Sequence, residues 1–285
     1  MRRLTCCACP RTGAKQGGTL GVASVMMAPP LPNFVIIGAQ KCGTRWLRWN
    51  LSKHPEVFAP YAELHFFNNR AHYEEDKLGW YREQFRGWSG EQCVGEATPG
   101  YMMFRHHPDV VAGRMAQSIP NARLLAILRN PIDRVVSAMV HFMKYDRVAP
   151  DERVMERVRA YPPERDPIGL IAGGWYAESL APFRERFGDQ LLVLLHDDAV
   201  HAPTSVYECA LRHIGASSNF VPADIDDIVW SNRQQSKHYE LTVEERRELW
   251  KYFAEDVAAL ETMLERDLST WSPDGMDHAG GSMVR

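Results

Sequence analysis

No stretch of eighteen apolar residues occurs in the sequence, which sets aside a membrane-spanning helix. Basic charge is not in excess either. Lys and Arg total 33 against 36 Asp and Glu, a net charge of −3, whereas bulk nucleic-acid binding normally needs the opposite balance. Cysteines number only six, and three of them (Cys6, Cys7 and Cys9) crowd near the N-terminus without a matching Cys or His pair to complete a metal site. The others, Cys42, Cys93 and Cys209, are scattered and odd in number, which suits a reducing compartment and gives a cytoplasmic expectation.

What is present is ordinary for a globular chain: 285 residues, 45% hydrophobic and 24% charged, enough for one large α/β domain or two small ones. Residues 1–32 differ in composition. Arg2, Arg3 and a weak apolar run caricature an export signal, but Gly21 and Ser24 interrupt the run and a polar spacer separates it from the arginines. A disordered tail over 1–32 is expected, then a folded domain over 33–270 and a flexible tail over 271–285.

The chain is organised around Phe34-Val-Ile-Ile-Gly-Ala-Gln-Lys-Cys-Gly-Thr-Arg-Trp-Leu47. Residues 34–37 suit a strand buried on both faces, Gly38 and Gly43 bracket a short loop, and a helix opens at Thr44. Strand, glycine-bounded loop and helix N-terminus together make an anion cradle, because free N–H groups and the helix dipole both favour negative charge there. The P-loop pattern wants lysine directly after the second glycine. Here Lys41 sits inside the loop and Thr44 follows Gly43.

An in-loop lysine followed by Gly-Thr resembles the 5′-phosphosulfate loop of sulfotransferases that use 3′-phosphoadenosine 5′-phosphosulfate (PAPS), and Lys-Cys-Gly-Thr-Arg looks most like their carbohydrate, heparan-sulfate-like branch. That resemblance implies donor contacts from Gln40, Lys41, Cys42, Gly43, Thr44 and Arg45. Further on, Tyr61-Ala-Glu-Leu-His-Phe-Phe places Glu63 and His65 on one side of an extended segment. Taken alone this is a polar pair on an apolar edge. The family's Glu-x-His-Phe-Phe-like element implies that Glu63 is the general base and His65 a substrate-side histidine. Residues 93–101 resemble the family's second strand and turn, with Ala97 where many glycan sulfotransferases carry a lysine.

The run 122–137 is the second strong signal. An apolar strand ends at Arg129, Asn130-Pro131 breaks it, and Ser137 lies two turns along the next helix. The family's 3′-phosphate site has this form, which implies a forked guanidinium from Arg129 and a hydroxyl from Ser137. Arg134 is left outside the site as a helix residue that solvent can satisfy. Ser236-Lys237 resembles the family's Ser-Lys-Gly-Arg segment, but His238 and Tyr239 replace Gly-Arg, so Lys237 alone carries over.

Elsewhere, the aromatics of residues 70–92 read equally as a sugar-stacking surface or as core. Residues 146–167 read as an exposed insert, and 242–266 as one long helix opened by a capping box. Residues 190–195 form another buried strand. It ends in His196-Asp-Asp198, which is the best support for a Walker-B-like magnesium site and a small-molecule kinase.

The alternation of strands and helices predicts a single α/β domain with a mostly parallel central sheet. The resemblance implies sulfuryl transfer from PAPS, without a metal, to a hydroxyl or amine of a small-molecule, glycan or glycolipid acceptor. The alternatives are the P-loop kinase and a nucleotide-binding protein without catalysis.

Overall fold

Short runs of Val, Ile, Leu and Phe bounded by Gly, Pro and polar residues become the strands, and the longer amphipathic stretches between them become helices that cover both sheet faces. The structure, a computed structural model, describes residues 28–75, 78–103, 106–227 and 239–276. In chain order, β1 (Phe34–Gly38) leads to α1 (Thr44–Leu51) and β2 (Val57–Phe58). Two short helices, α2 (Arg70–Glu75) and α3 (Gly79–Glu83), precede β3 (Cys93–Ala97), α4 (Pro108–Ser118) and β4 (Arg123–Leu128). Then come α5 (Pro131–Met143), α6 (Val154–Ala160), α7 (Tyr176–Phe187) and β5 (Leu191–Leu195). The chain continues through α8 (His196–His201), α9 (Pro203–Ile214), α10 (Val243–Trp250) and α11 (Ala254–Leu264).

The strands pair in the order β2-β3-β1-β4-β5, and every pair is parallel. Side chains alternate across the sheet as the pleat requires. Val35, Ile37, Val94, Leu124, Ala126 and Leu128 face the core under α4, α5 and α7. Phe34, Ile36, Cys93, Leu125 and Ile127 face the one under α1 and α9. The predicted fold class is what the structure shows.

Strand order reverses around β1, which lies between β3 and β4, and ligands of such sheets bind beyond the strands' carboxyl ends at that point. Register fixes what meets there. Gly38 pairs with Ala126 and Leu128 with Leu195, so Arg129 leaves β4 beside His196, within reach of the loop that leaves β1.

One open reading is decided and two expectations change. The aromatics of 70–92 are largely core: Tyr81 and Phe85 are fully buried, and Tyr73, Trp80 and Trp88 pack against the same cluster. The 146–167 segment is built into the fold, since Val148, Val154, Met155 and Val158 are buried. Arg157 donates there to Asp166 at 2.8 Å. The long helix is broken between Trp250 and Ala254. Phe253 turns in to pack on Gly174, and Asp256 then accepts the N–H groups of Tyr176, Ala177 and Glu178 at the start of α7.

The boundary at 270 falls inside packed chain. Trp271 is 2% exposed, its indole donates to Asp197 at 2.9 Å, and its carbonyl accepts from Asn130. At the other end, Pro32 is buried and Leu31 packs on the core, so packing begins before residue 33.

Candidate active site

The loop after β1 is shaped by two left-handed residues. Lys41 has φ 72° and Gly43, which caps α1, has φ 104°. A side chain at Gly43 is disfavoured twice over, by that φ and by an added Cβ approaching His196 Cδ2 to 3.2 Å. Ala39 N–H donates to Ile127 O and Cys42 N–H to Ala39 O, which ties the loop to β4 and to itself. The loop and the eight-residue α1 thus present the N-terminal peptide dipoles of a helix to an open cleft.

That cleft has a volume of about 1390 Å³, above the ~300–1,000 Å³ usual for one small ligand, and so has room for a donor and an acceptor together. The structure brings nine of the eleven predicted residues to its walls: Gln40, Lys41, Gly43, Thr44 and Arg45 from the loop and α1, Glu63 and His65 from the segment before α2, Arg129 from the end of β4, and Ser137 from α5. Cys42 is not among them. Its side chain turns inward, fully buried, to within 3.4 Å of the Tyr176 hydroxyl, because alternate loop residues point to opposite sides. Burial pushes its thiol pKa up, which makes it an inert core sulfur. Lys237 lies outside the described residues.

Charge in the cleft is concentrated. Lys41 is half-buried, and desolvation, assisted by Arg45, Arg134 and Lys144, lowers its pKa to about 8. His141 is lowered to about 4 by desolvation and then by Lys41, while Glu63 acts on it in the opposite sense, so the ring is neutral at pH 7 and stands within the field of both groups. His65 is raised, first by its hydrogen bond to Glu63, whose carboxylate lies 3.5 Å from its Nε2. Its other nitrogen, Nδ1, is 3.3 Å from Asn68 Oδ1. The cleft's opposite rim is acidic at Asp226, Asp227 and Glu240, and Arg246 pairs there with Asp133 at 3.0 Å.

Two residues escaped the sequence reading. His141 lines the cleft, and its signal was available: Asp133, Ser137 and His141 recur at four-residue spacing, hence on one face of α5. Arg134 is wholly buried instead of solvated, and lies behind the loop, not in the cleft. It donates to Leu170 O at 2.5 Å, to Gly169 O at 3.3 Å and to Gln40 O at 3.4 Å, so it clamps the phosphate-type loop from behind. Gly173 makes the space, since a Cβ there would stand 2.3 Å from Arg134 Nη2. No local pattern distinguishes such an arginine from a solvated one.

The aspartates behind the kinase reading are engaged elsewhere. Asp198 accepts both Nη atoms of Arg266 at 2.6 and 2.7 Å, and Asp197 accepts the Trp271 indole.

A parallel sheet with an in-loop lysine at the end of β1, an arginine at the end of β4 and a Glu-His pair on the wall of the same cleft is an arrangement that group transfer from an anionic donor would need. Comparison with known proteins agrees. The family model described as "Sulfotransferase domain" matches residues 31–216. The crystal structure of a sulfotransferase from Alicyclobacillus acidocaldarius superposes with a TM-score of 0.69 at 31% identity, over 84% of this chain and 98% of that one. The heparan sulfate glucosamine 3-O-sulfotransferase 3A1 of Mus musculus is 31% identical over 188 residues, 62% of this chain and 44% of that protein. The membrane-associated sulfotransferase kil1 of Dictyostelium discoideum is 32% identical over 135 residues, 45% of this chain and 27% of that protein. The chain thus matches under half the length of these two relatives.

The chain belongs to the sulfotransferase family, a family of group-transfer enzymes, and its resemblance is to the carbohydrate, heparan-sulfate-type branch. Among the described residues, no helix is long and apolar enough to cross a membrane.

Proposed function

We propose that the chain transfers a sulfuryl group from PAPS to a hydroxyl or amine of a glycan, glycolipid or small-molecule acceptor, leaving adenosine 3′,5′-bisphosphate. The observation that carries this reading is the single cleft in which the Lys41 loop, Arg129 with Ser137, and Glu63 with His65 all meet. The residues fit the donor. The loop N–H groups and Lys41 would take the 5′-phosphosulfate, Thr44 and Arg45 the flanking oxygens, and Arg129 with Ser137 the 3′-phosphate. Gln40 adds a buried side-chain oxygen at the cleft, with no protein partner among the described residues, to accept a hydrogen bond.

In the transfer, the acceptor oxygen or nitrogen attacks sulfur in line with the departing phosphate oxygen. Glu63 takes the acceptor's proton and His65 holds the carboxylate's orientation. Negative charge grows on the leaving phosphate, where Lys41 and the loop dipoles are already aimed, so little reorganisation is needed. The cysteines 42, 93 and 209 are free thiols, which supports a reducing, cytoplasmic setting.

The test is transfer of labelled sulfate from PAPS to heparan sulfate, a glycolipid extract and a metabolite extract, with parent and Glu63→Gln protein. Label is expected on one acceptor class, and the Gln variant is expected to lose about 10²–10⁴ in rate, the usual worth of a positioned base. Near-parental transfer by the variant would remove Glu63 from the mechanism. Stimulation of phosphate transfer from ATP by magnesium would favour the kinase.

A further inference from the structure

Glu96 is a fully buried carboxylate at the end of β3, on the sheet face it shares with Val94. Three hydroxyls surround it. Tyr101 lies 2.7 Å and Tyr81 3.1 Å from Oε1, and Thr98 2.6 Å from Oε2. All three hydroxyls donate to it, as they must wherever the carboxyl is ionised and only accepts. Having spent their protons there, two of them turn lone pairs toward the segment that carries Glu63 and His65. Thr98 Oγ1 accepts from Leu64 N–H at 3.0 Å and from His65 N–H at 3.4 Å, and Tyr101 Oη from Phe66 N–H at 3.1 Å. Tyr81 also stacks on Phe66, with ring centroids 4.5 Å apart. His65 has a left-handed φ of 51°, a conformation that costs a non-glycine residue free energy and persists only where its surroundings hold it.

We propose that Glu96 is a positioning residue for the Glu63–His65 pair. By drawing the hydroxyl protons of Thr98 and Tyr101 to itself, it presents their lone pairs to three consecutive N–H groups, and these fix the segment over the cleft. The proposal rests on the reading of Glu63 and His65 as acceptor-side groups. Glu96 positions the segment through the hydroxyls, and its charge also acts on His65 directly. The titratable groups that act on it are Tyr81 from α3, Tyr101 from the turn after β3, and His65 itself. Desolvation raises its pKa, and the hydrogen bonds from Thr98, Tyr101 and Tyr81 oppose that shift without cancelling it.

The variants follow from the proton count. In Glu96→Gln one oxygen becomes an NH₂ donor. The hydroxyl facing it must accept, and its own proton then points at a backbone N–H. Thr98→Val removes the acceptor of two N–H groups at almost constant shape, and Thr98→Ser restores it.

The full chain is followed by NMR of the His65 ring through its titration and of the amides of 64–66 by hydrogen exchange. Affinity for adenosine 3′,5′-bisphosphate is measured alongside. In Thr98→Val, which leaves the Glu96 charge in place, the His65 pKa is expected to fall toward the ordinary histidine value as its pairing with Glu63 loosens. Glu96→Gln also removes a charge that acts directly on His65, so that variant is read by exchange. Exchange at the untethered amides is expected to speed up about tenfold, the worth of one hydrogen bond. Thr98→Ser is expected to titrate and exchange as the parent. Nucleotide affinity is expected to stay within about twofold throughout, because the Lys41 loop, Arg129 and Ser137 are untouched.

Parental exchange at the amides of 64–66 in Glu96→Gln, or parental His65 titration in Thr98→Val, would overturn the proposal. If that variant does not fold, the Thr98→Val and Thr98→Ser pair decides it on the same two readouts. A parent that does not bind adenosine 3′,5′-bisphosphate would instead overturn the donor reading, while the His65 measurement, which uses no nucleotide, still decides the role of Glu96.

Discussion

Lys41 carries the clearest electrostatic consequence at the scale of single residues. Its pKa of about 8 in the free protein reflects burial among Arg45, Arg134 and Lys144. A bound phosphate supplies the opposite charge and raises that pKa, so the ligand prefers the protonated lysine. The phosphates of adenosine 3′,5′-bisphosphate carry their full charge above about pH 7. Affinity for it is therefore expected to be level from there to the free lysine pKa and to weaken as pH rises through about 8, with proton uptake visible by calorimetry in buffers of different ionisation enthalpy. Lys41→Ala is expected to bind more weakly at every pH and to lose this dependence. A parent whose affinity is level from pH 7 to about 9.5 would contradict the role given to Lys41.

The same scale shows what a sequence can and cannot disclose about a site. Lys41, Arg129 and Ser137 were legible because phosphate chemistry places such groups at strand ends and helix starts, where local spacing reveals them. The Cys42 side chain lies outside the cleft, which a motif could not disclose because it gives positions and not side-chain directions. Arg134 was missed because its partners, Gln40, Gly169 and Leu170, lie far away in sequence. Glu96 left a faint trace: an acid near the end of an otherwise apolar buried strand, a position that demands partners.

At the scale of elements, β1, β4 and β5 follow from runs of apolar residues and β3 from the resemblance, and their positions differ little from those expected. Where reading failed, tertiary contacts had overridden a local pattern. The helix expected over 242–266 gives way between Trp250 and Ala254 because a break lets Phe253 reach Gly174 and Asp256 cap α7. The polar segment 146–167 folds around Asp166, which accepts from Arg157 and from the N–H groups of Ile168 and Leu170. Leu170 in turn receives Arg134, so this segment supports the phosphate-type loop through one buried guanidinium.

The C-terminal stretch is the sharpest case. Its Pro, Gly and Asp content resembles a tail, yet Trp271 is a core residue beside Tyr176. Trp271→Ala is expected to destabilise the chain by about 3–5 kcal/mol, the range for deleting a large buried aromatic, read as a lower denaturant midpoint at unchanged slope. A loss below about 1 kcal/mol would show that the packing of this stretch contributes little.

At the scale of the whole molecule, a parallel sheet reversing around β1 brings the ends of β1 and β4 and one Glu-His pair to a single cleft with room for two substrates. The direct measurement is calorimetric selectivity among adenosine 3′,5′-bisphosphate, AMP and magnesium-ATP, for parent and Arg129→Ala protein. The 3′,5′-bisphosphate is expected to bind best, and the alanine variant to lose about 1.5–3 kcal/mol of its preference over AMP, the worth of a hydrogen bond to a charged group. A parent that prefers magnesium-ATP, or a variant that still separates the bisphosphate from AMP as the parent does, would contradict the account.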